Sequence, residues 1–167
     1  MNQKIVAQMI KMLENLDGLL LKATQQADAK KFDVNNYLSE RLIVDMLPLS
    51  KQIQITCDNA KLCIARLSHS EAPKFEDTEK TMPEFRERIK KTTDFLKTKI
   101  EADYTKFESA KFEPTWMNGQ WMDGEDYFYQ FAIPNFYFHM TTAYAILRKC
   151  GVEIGKSDYM GSLPFKK

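Results

Sequence analysis

The residues best suited to chemistry lie near the C-terminus, in the segment PNFYFHMTTAYAILRKCG at 134–151. It contains His139, one of two histidines in the chain, with Asn135 four residues before it and Thr142 three residues after it. Steps of three and four residues return to one face of a helix, so the spacing predicts a shared polar face. That face fits a small-molecule-binding or acid–base histidine. The alternative is a buried histidine whose hydrogen bond is satisfied by a neighbouring side chain.

A metal ion at His139 needs further ligands, which the sequence supplies poorly. Zinc takes three or more protein ligands as a rule, and the other histidine, His69, falls in a predicted loop. Carboxylates could complete a mixed site, and the candidates are Asp45, Asp58, Asp77 and Glu79. We therefore predict no cofactor. If a divalent metal such as zinc or nickel binds, His139 is its predicted ligand.

Other charged and thiol side chains are predicted to have structural roles. Asp58 and Lys61 are three residues apart on a predicted helix, a spacing typical of a surface ion pair. Asp77 and Glu79 precede a predicted helix start, where negative charge complements the helix dipole. Cys57 lies on an apolar stripe, which favours core packing over nucleophilic catalysis. The main basic concentration is predicted to be a solvated helix face, and consists of Arg86, Arg88, Lys90, Lys91, Lys97 and Lys99.

The composition is that of one domain spanning 1–167, because 167 residues with 44% hydrophobic content can fill one core. The 24 basic and 23 acidic residues give a net charge of +1, which provides no field to attract nucleic acid or an anionic membrane. The apolar stretches are too short to span a bilayer, and the N-terminus lacks the pattern of a signal peptide. We expect a cytoplasmic protein with reduced cysteines and with no nucleic-acid or membrane partner.

Apolar periodicity predicts four helices, of which the first three are amphipathic. They span about 6–29, 46–68, 81–101 and 124–150. Asp45, three residues before Pro48, predicts the start of the second helix. Thr81 and Glu84 form a capping-box pattern at the start of the third.

Between the third and last helices the sequence predicts a small β-hairpin. Asn118-Gly119 tolerate the positive φ angles of a type I′ turn and separate predicted strands at 115–117 and 120–122. The last helix is apolar nearly all round, which places it centrally in a bundle or in an oligomer interface. Pro134 is predicted to kink this helix and Gly151 to end it. The tail that follows is predicted to lie over the bundle.

Several separated motifs carry a family resemblance. They are, in order, DMLPLSKQIQITCDNAK, FEDTEKT, PNFYFH, TTAYAILR and GKSDYMG. Together they resemble the DUF1993 branch, a domain of unknown function, of the DinB/YfiT-like superfamily. The last helix of that superfamily carries two histidines four residues apart, then Leu-Arg and a glycine. His139 matches the second histidine, and Asn135 stands at the position of the first. The family's third histidine, on helix two, has no counterpart here, and Asp45 lies in that neighbourhood.

The resemblance implies an all-α, DinB-like four-helix up-down-down-up bundle with the hairpin inserted before the last helix, and it implies a homodimer. It also implies metal-dependent transferases and isomerases that use small thiols. Because two metal-ligand positions differ here, the leading hypothesis is a degenerate metal site that forms a metal-free pocket for a small-molecule ligand, lined by Asn135, His139, Asp45 and Thr142. One alternative is a metal- or thiol-dependent transferase or isomerase with His139 as base or ligand. Another is a structural homodimer without catalysis.

Overall fold

The computed structural model describes residues 3–100, 102, 104–114 and 118–166. Within these ranges the chain forms α1 (Gln3–Lys30), α2 (Leu49–Leu67), α3 (Met82–Lys97), β1 (Lys111–Phe112), β2 (Met122–Asp123), α4 (Gly124–Asp126), α5 (Ile133–Lys149) and α6 (Lys156–Met160). Short 3₁₀ turns occupy Val34–Ser39 and Phe107–Ser109, and a π-helix occupies Tyr127–Ala132. The four predicted helices are therefore present. The last of them is an unbroken run of α4, the π-helix and α5.

The helices are ordered up-down-down-up. Asp17 of α1 pairs with Arg86 near the start of α3, and Glu14 pairs with Lys97 at its end, so these two helices are antiparallel. In contrast, Gln54 of α2 contacts Glu79 just before α3, and Asp58 contacts Arg88 within it, so α2 and α3 run in one direction. Helix α5 is antiparallel to α2 and packs extensively against it.

The start of α2 differs from the sequence prediction. The helix begins at Leu49, and Pro48 with its extended backbone precedes the first helical residue. The Leu49 amide donates to the carbonyl of Glu40 at 2.8 Å, which satisfies one of the free N–H groups of the first turn. Asp45 therefore does not cap the helix, and it is exposed in the preceding connection.

The start of α3 agrees with the capping-box prediction. The Glu84 carboxylate accepts a hydrogen bond from the Thr81 amide at 2.8 Å and another from the Lys80 amide at 2.7 Å. The helix ends at Lys97, four residues before the predicted end at 101.

The predicted hairpin is present, but its strands are further from the turn than predicted. Lys111 pairs with Asp123 and Phe112 pairs with Met122 in antiparallel register. Asn118 and Gly119 have φ angles of 49° and 83°, as a type I′ turn requires. Of the predicted strand residues, 115–117 lie outside the described residues, and 120–121 are not in a strand.

The last helix is distorted immediately before Pro134. The π-helix ends at Ala132, and Pro134 follows directly in the continuous helix, where it lacks the N–H that would donate to the preceding turn. π-Helical turns are often found beside functional sites. The inner face of α5 is fully buried in the bundle through Phe136, Met140, Ala143, Ile146 and Leu147, so the central placement explains its apolar character.

The end of the chain packs on α1, as predicted. Gly151 follows α5 with a φ of 77°, the left-handed conformation expected at a helix C-terminus. In α6, the Tyr159 carbonyl accepts a hydrogen bond from Asn15 at 3.0 Å, and Asp158 pairs with Lys22 at 2.6 Å. None of the helices in the described part of the chain combines the length and apolarity needed to cross a membrane.

Candidate functional site

Polar side chains link α2 to the last helix in three successive layers, which we call the polar seam. On α2 they recur at intervals of seven residues, two helical turns, and therefore share one face. The three pairs are Gln52 with His139, Asn59 with Asn135, and Arg66 with Tyr127. Two of the predicted site residues, His139 and Asn135, are thus brought to one interface.

The first layer fixes the protonation of His139. Gln52 donates its amide N–H to the Leu47 carbonyl at 2.9 Å, so its Oε1 faces His139, 2.7 Å from Nδ1. Oε1 only accepts hydrogen bonds, and the proton of the neutral ring therefore lies on Nδ1. Burial lowers the pKa of His139, whose side chain is 9% exposed, and favours this neutral form. The Nε2 atom is left with an unprotonated lone pair.

The second layer is a neutral amide pair. Asn135 donates to Asn59 Oδ1 at 2.9 Å, while the buried Nδ2 of Asn59 has no acceptor among the described residues. Thr142, the third member of the predicted polar face, donates to the Phe138 carbonyl of its own helix at 2.7 Å. Its hydroxyl is therefore committed to the helix backbone.

The third layer holds a cation. Arg66 Nη1 donates to the Tyr127 hydroxyl at 2.8 Å, and the guanidinium stacks on Phe112 at 4.7 Å from the ring centroid. Burial raises the pKa of Tyr127 to about 12, so its hydroxyl stays protonated and does not neutralise the cation.

The seam does not fit the metal-dependent chemistry that the resemblance implied. The seam residues nearest to His139 are amides, namely Gln52 and the pair of Asn59 and Asn135. Zinc and nickel instead prefer imidazole, thiolate or carboxylate ligands. Over the described ranges, no three His, Cys, Asp or Glu side chains are grouped closely enough to hold a metal ion. Asp45, the predicted carboxylate candidate, is exposed outside the seam.

The opposite side of α2 carries an ion cluster that was not predicted, formed by Asp58, Lys61, Asp77, Glu79 and Arg88. The prediction that Arg88 lies on a solvated face is wrong, because its side chain is only 1% exposed. Its guanidinium contacts Asp58 at 2.8 Å, Glu79 at 2.9 Å and Asp77 at 3.0 Å. Lys61 joins Asp58 at 2.9 Å, as its spacing predicted, but in a buried setting.

The ion cluster fastens the loop between α2 and α3 to the bundle. The ring of Phe75 in this loop lies 3.9 Å from Lys61 Nζ and 5.2 Å from the Arg88 guanidinium carbon. Burial alone would raise the pKa of Glu79, but hydrogen bonds from Arg88 and Gln54 outweigh it, and the pKa is lowered. Asp77 and Glu79 of this loop thus pair with the buried Arg88. Their role is more than the predicted one of complementing the helix dipole.

Cys57 has no nucleophilic character in this setting. Its side chain is fully buried, and burial raises the pKa of the thiol to about 12. A thiol that stays protonated at neutral pH is a packing group, as its apolar stripe predicted.

The described part of the chain has surface grooves large enough to accept small molecules, and three of them have linings that do not include His139 or Asn135. The largest, about 580 Å³, lies between α2 and the hairpin strand β1 and is lined in part by Asn59 and Arg66 of the seam. We call it the hairpin groove.

Sequence patterns could have revealed both missed sets of residues. Gln52, Asn59 and Arg66 recur every seven residues on an otherwise apolar helix stripe, which indicates polar contacts with a neighbouring helix. Arg88 follows Phe85 by three residues and precedes Thr92 by four, so it falls on the apolar face of α3.

This up-down-down-up bundle with a hairpin before its last helix has the fold of a DinB-like protein. A crystal structure of a DinB family member from Shewanella denitrificans has the same fold, with a TM-score of 0.88 and 40% sequence identity over 97% of this chain and 92% of that chain. The family model for the domain of unknown function DUF1993 matches residues 1–160, and the chain belongs to that family. No curated protein matches it. The predicted family is confirmed.

Proposed function

We propose that this protein binds an uncharged small molecule through Nε2 of His139, without a metal ion. The observation that carries the proposal is the hydrogen-bond chain from the Leu47 carbonyl through Gln52 to His139 Nδ1. By holding the ring proton on Nδ1, this chain leaves Nε2 as a fixed acceptor. A hydroxyl, amide or thiol group of a ligand would supply the matching donor.

Burial of His139 makes the site favour uncharged ligands over anions. The lowered pKa of His139 keeps the ring neutral at pH 7, so an anion finds no positive charge there. A carboxylate also lacks a proton to donate to Nε2. The exposed Phe138 ring, 5.2 Å from the imidazole, would cover an apolar ligand body. The ligand class is therefore a neutral hydrogen-bond donor with an apolar part.

A second candidate is catalysis by the same nitrogen. An unprotonated Nε2 is what a general base requires, and a thiol S–H would be its substrate in a transferase or isomerase. Burial lowers the pKa of the histidine and so weakens it as a base, which ranks this candidate below simple binding.

The tautomer of His139 tests the proposal directly. Long-range ¹H–¹⁵N correlation spectra resolve both imidazoles, because the chain contains two histidines and the exposed His69 is an internal reference. At pH 7.5 we expect His139 to carry its proton on Nδ1. A proton on Nε2, or a charged ring, would contradict the proposal.

Binding is tested with phenol and 2-mercaptoethanol as neutral donor probes. Asparagine can place its amide N–H where histidine has Nδ1, so His139→Asn keeps the bond to Gln52 and removes Nε2. We expect saturable binding of phenol by the unmodified protein and a loss of at least about tenfold in this variant (1.4 kcal/mol per factor of ten). His69→Asn is the matched control and should bind normally. Equal binding by both variants, or about one transition metal per chain by elemental analysis, would count against the proposal.

A further inference from the structure

Arg66 makes no ion pair with a carboxylate among the described residues. Among the described residues, the only hydrogen-bond acceptor that Arg66 meets in the seam is the neutral Tyr127 hydroxyl. A guanidinium has five N–H donors, so most of its hydrogen-bonding capacity is available to another molecule. Stacking on Phe112 at 4.7 Å and on Tyr127 at 5.4 Å fixes its plane. Its half-buried position keeps it at the wall of the hairpin groove.

The other charges lining the hairpin groove are already paired. Lys111 contacts Glu113 at 2.8 Å. Asp58 contacts both Arg88 and Lys61 in the ion cluster. Of the described charged residues that line the groove, Arg66 is thus the one left without an ion-pair partner.

The remaining walls of the groove are mostly apolar. They include Ile55 and Leu62 of α2, Phe112 and Pro114 of the hairpin segment, and Phe131 of the π-helix. The volume of about 580 Å³ is typical of a small-molecule site. Sites of this kind combine apolar walls with a few fixed polar groups that orient the ligand.

We propose that the hairpin groove binds a small monocarboxylate with an apolar body, separately from the His139 site. The carboxylate pairs with the exposed edge of the Arg66 guanidinium, and the apolar body lies along Leu62 and Phe131. A single uncompensated cation matches a monoanion. A phosphate dianion would bring a second charge close to Asp58 and Glu113, which line the same groove.

Sodium benzoate is the probe for this site, with binding followed by NMR chemical shifts of the groove residues and by calorimetry. We expect millimolar or tighter binding to the complete protein. Arg66→Met keeps an apolar stem against Phe112 but removes the charge, and should weaken binding by at least about tenfold. Arg86→Met, on the far side of α3, is the control and should bind as the unmodified protein does.

Leu62 offers a test that leaves Arg66 and its Tyr127 contact in place. Leu62 is four residues before Arg66 on α2, so Leu62→Glu supplies an internal carboxylate to the guanidinium. We expect this variant to lose benzoate binding about tenfold or more, while the neutral Leu62→Gln loses no more than about threefold. The Leu62→Glu and Leu62→Gln variants together test whether benzoate binds at Arg66, even if Arg66→Met does not fold.

Three results would overturn the proposal. One is equal loss of binding in the Glu and Gln variants, which would assign the effect to the lost leucine. Another is the absence of benzoate binding at 20 mM, a concentration of about twenty times a 1 mM dissociation constant. The last is inorganic phosphate binding as tightly as benzoate, which would indicate attraction of any anion. Because phenol binding at His139 is measured separately, either site can fail without the other.

Discussion

The two sides of α2 solve the burial of polar groups in different ways. Toward α3, the ion cluster surrounds Arg88 with three carboxylates and buries it almost completely. Toward α5, the polar seam uses amides, one imidazole and one arginine, with single hydrogen bonds between partners. The first arrangement leaves its charges compensated. In the second, neither Nε2 of His139 nor the charge of Arg66 has a partner of opposite character among the described residues, and our two binding proposals rest on this difference.

The largest expected effect comes from breaking the ion cluster. Arg88→Met preserves most of the side-chain volume but removes the buried cation that Asp58, Asp77 and Glu79 share, and only Asp58 keeps a second buried cation, Lys61. Removing one partner of a buried ion pair costs about 3–5 kcal/mol. We expect a loss of this size in the free energy of unfolding, measured by urea denaturation at pH 7.

Arg86→Met is the matched control for that measurement. Arg86 also makes two hydrogen bonds to one carboxylate, Asp17, but both side chains are about one-third exposed, at 34% and 32%. Exposed ion pairs contribute about 0–1 kcal/mol. If the two substitutions destabilise the protein equally, burial of Arg88 does not distinguish the cluster from a surface pair.

A smaller effect is expected from the protonation of His139. Its folded-state pKa lies below the ordinary value of 6.5 because of burial, so the unfolded chain binds more protons as pH falls through this range. The contribution of the neutral ring is present above pH 6.5 and is lost as pH falls toward the folded-state pKa. His139→Asn has no proton to take up at this position. We therefore expect the stability of the unmodified protein to fall more steeply between pH 7.5 and pH 5 than that of the variant.

His69→Asn is the control for this pH dependence, because His69 is the exposed histidine of the chain and its ring meets the Lys106 carbonyl at the surface, 3.2 Å from Nε2. The stability of this variant should depend on pH in the same way as that of the unmodified protein. A His139→Asn protein with the same pH dependence as the unmodified chain would show that the imidazole is not held neutral by burial.

Sequence periodicity predicted the helices because each one repeats its apolar residues every three or four positions. It also placed Asn135 and His139 on one face, which the structure brings against α2. It did not predict the partners, since Gln52 and Asn59 lie more than 70 residues away, and only the packing of α2 on α5 selects them. For the same reason, the acids that surround Arg88 come from α2 and from the following loop, and a count of charges on α3 alone suggested a solvated face.

The strands of the hairpin show a different limit. The turn was predicted because a type I′ turn needs positive φ angles at its two central residues, and Asn118 and Gly119 tolerate them. Strand pairing away from the turn depends on Phe112, which packs on Tyr127 at 4.4 Å between ring centroids. That contact joins the hairpin to the last helix, and no local pattern encodes it.

The smallest expected effect belongs to the neutral middle layer of the seam. Asn135→Leu should cost about 1 kcal/mol, since it leaves neither end of the Asn59 amide with a hydrogen-bond partner among the described residues. Replacing both asparagines by leucine should recover most of this loss, because it removes the unpaired groups as well as the bond. Urea denaturation of the two single variants and the double variant gives the coupling energy. A double variant as destabilised as Arg88→Met would mean that the amide pair is as necessary to the fold as the ion cluster. Near-neutral stability would show that this layer of the seam is dispensable for folding, unlike the cluster on the other side of α2.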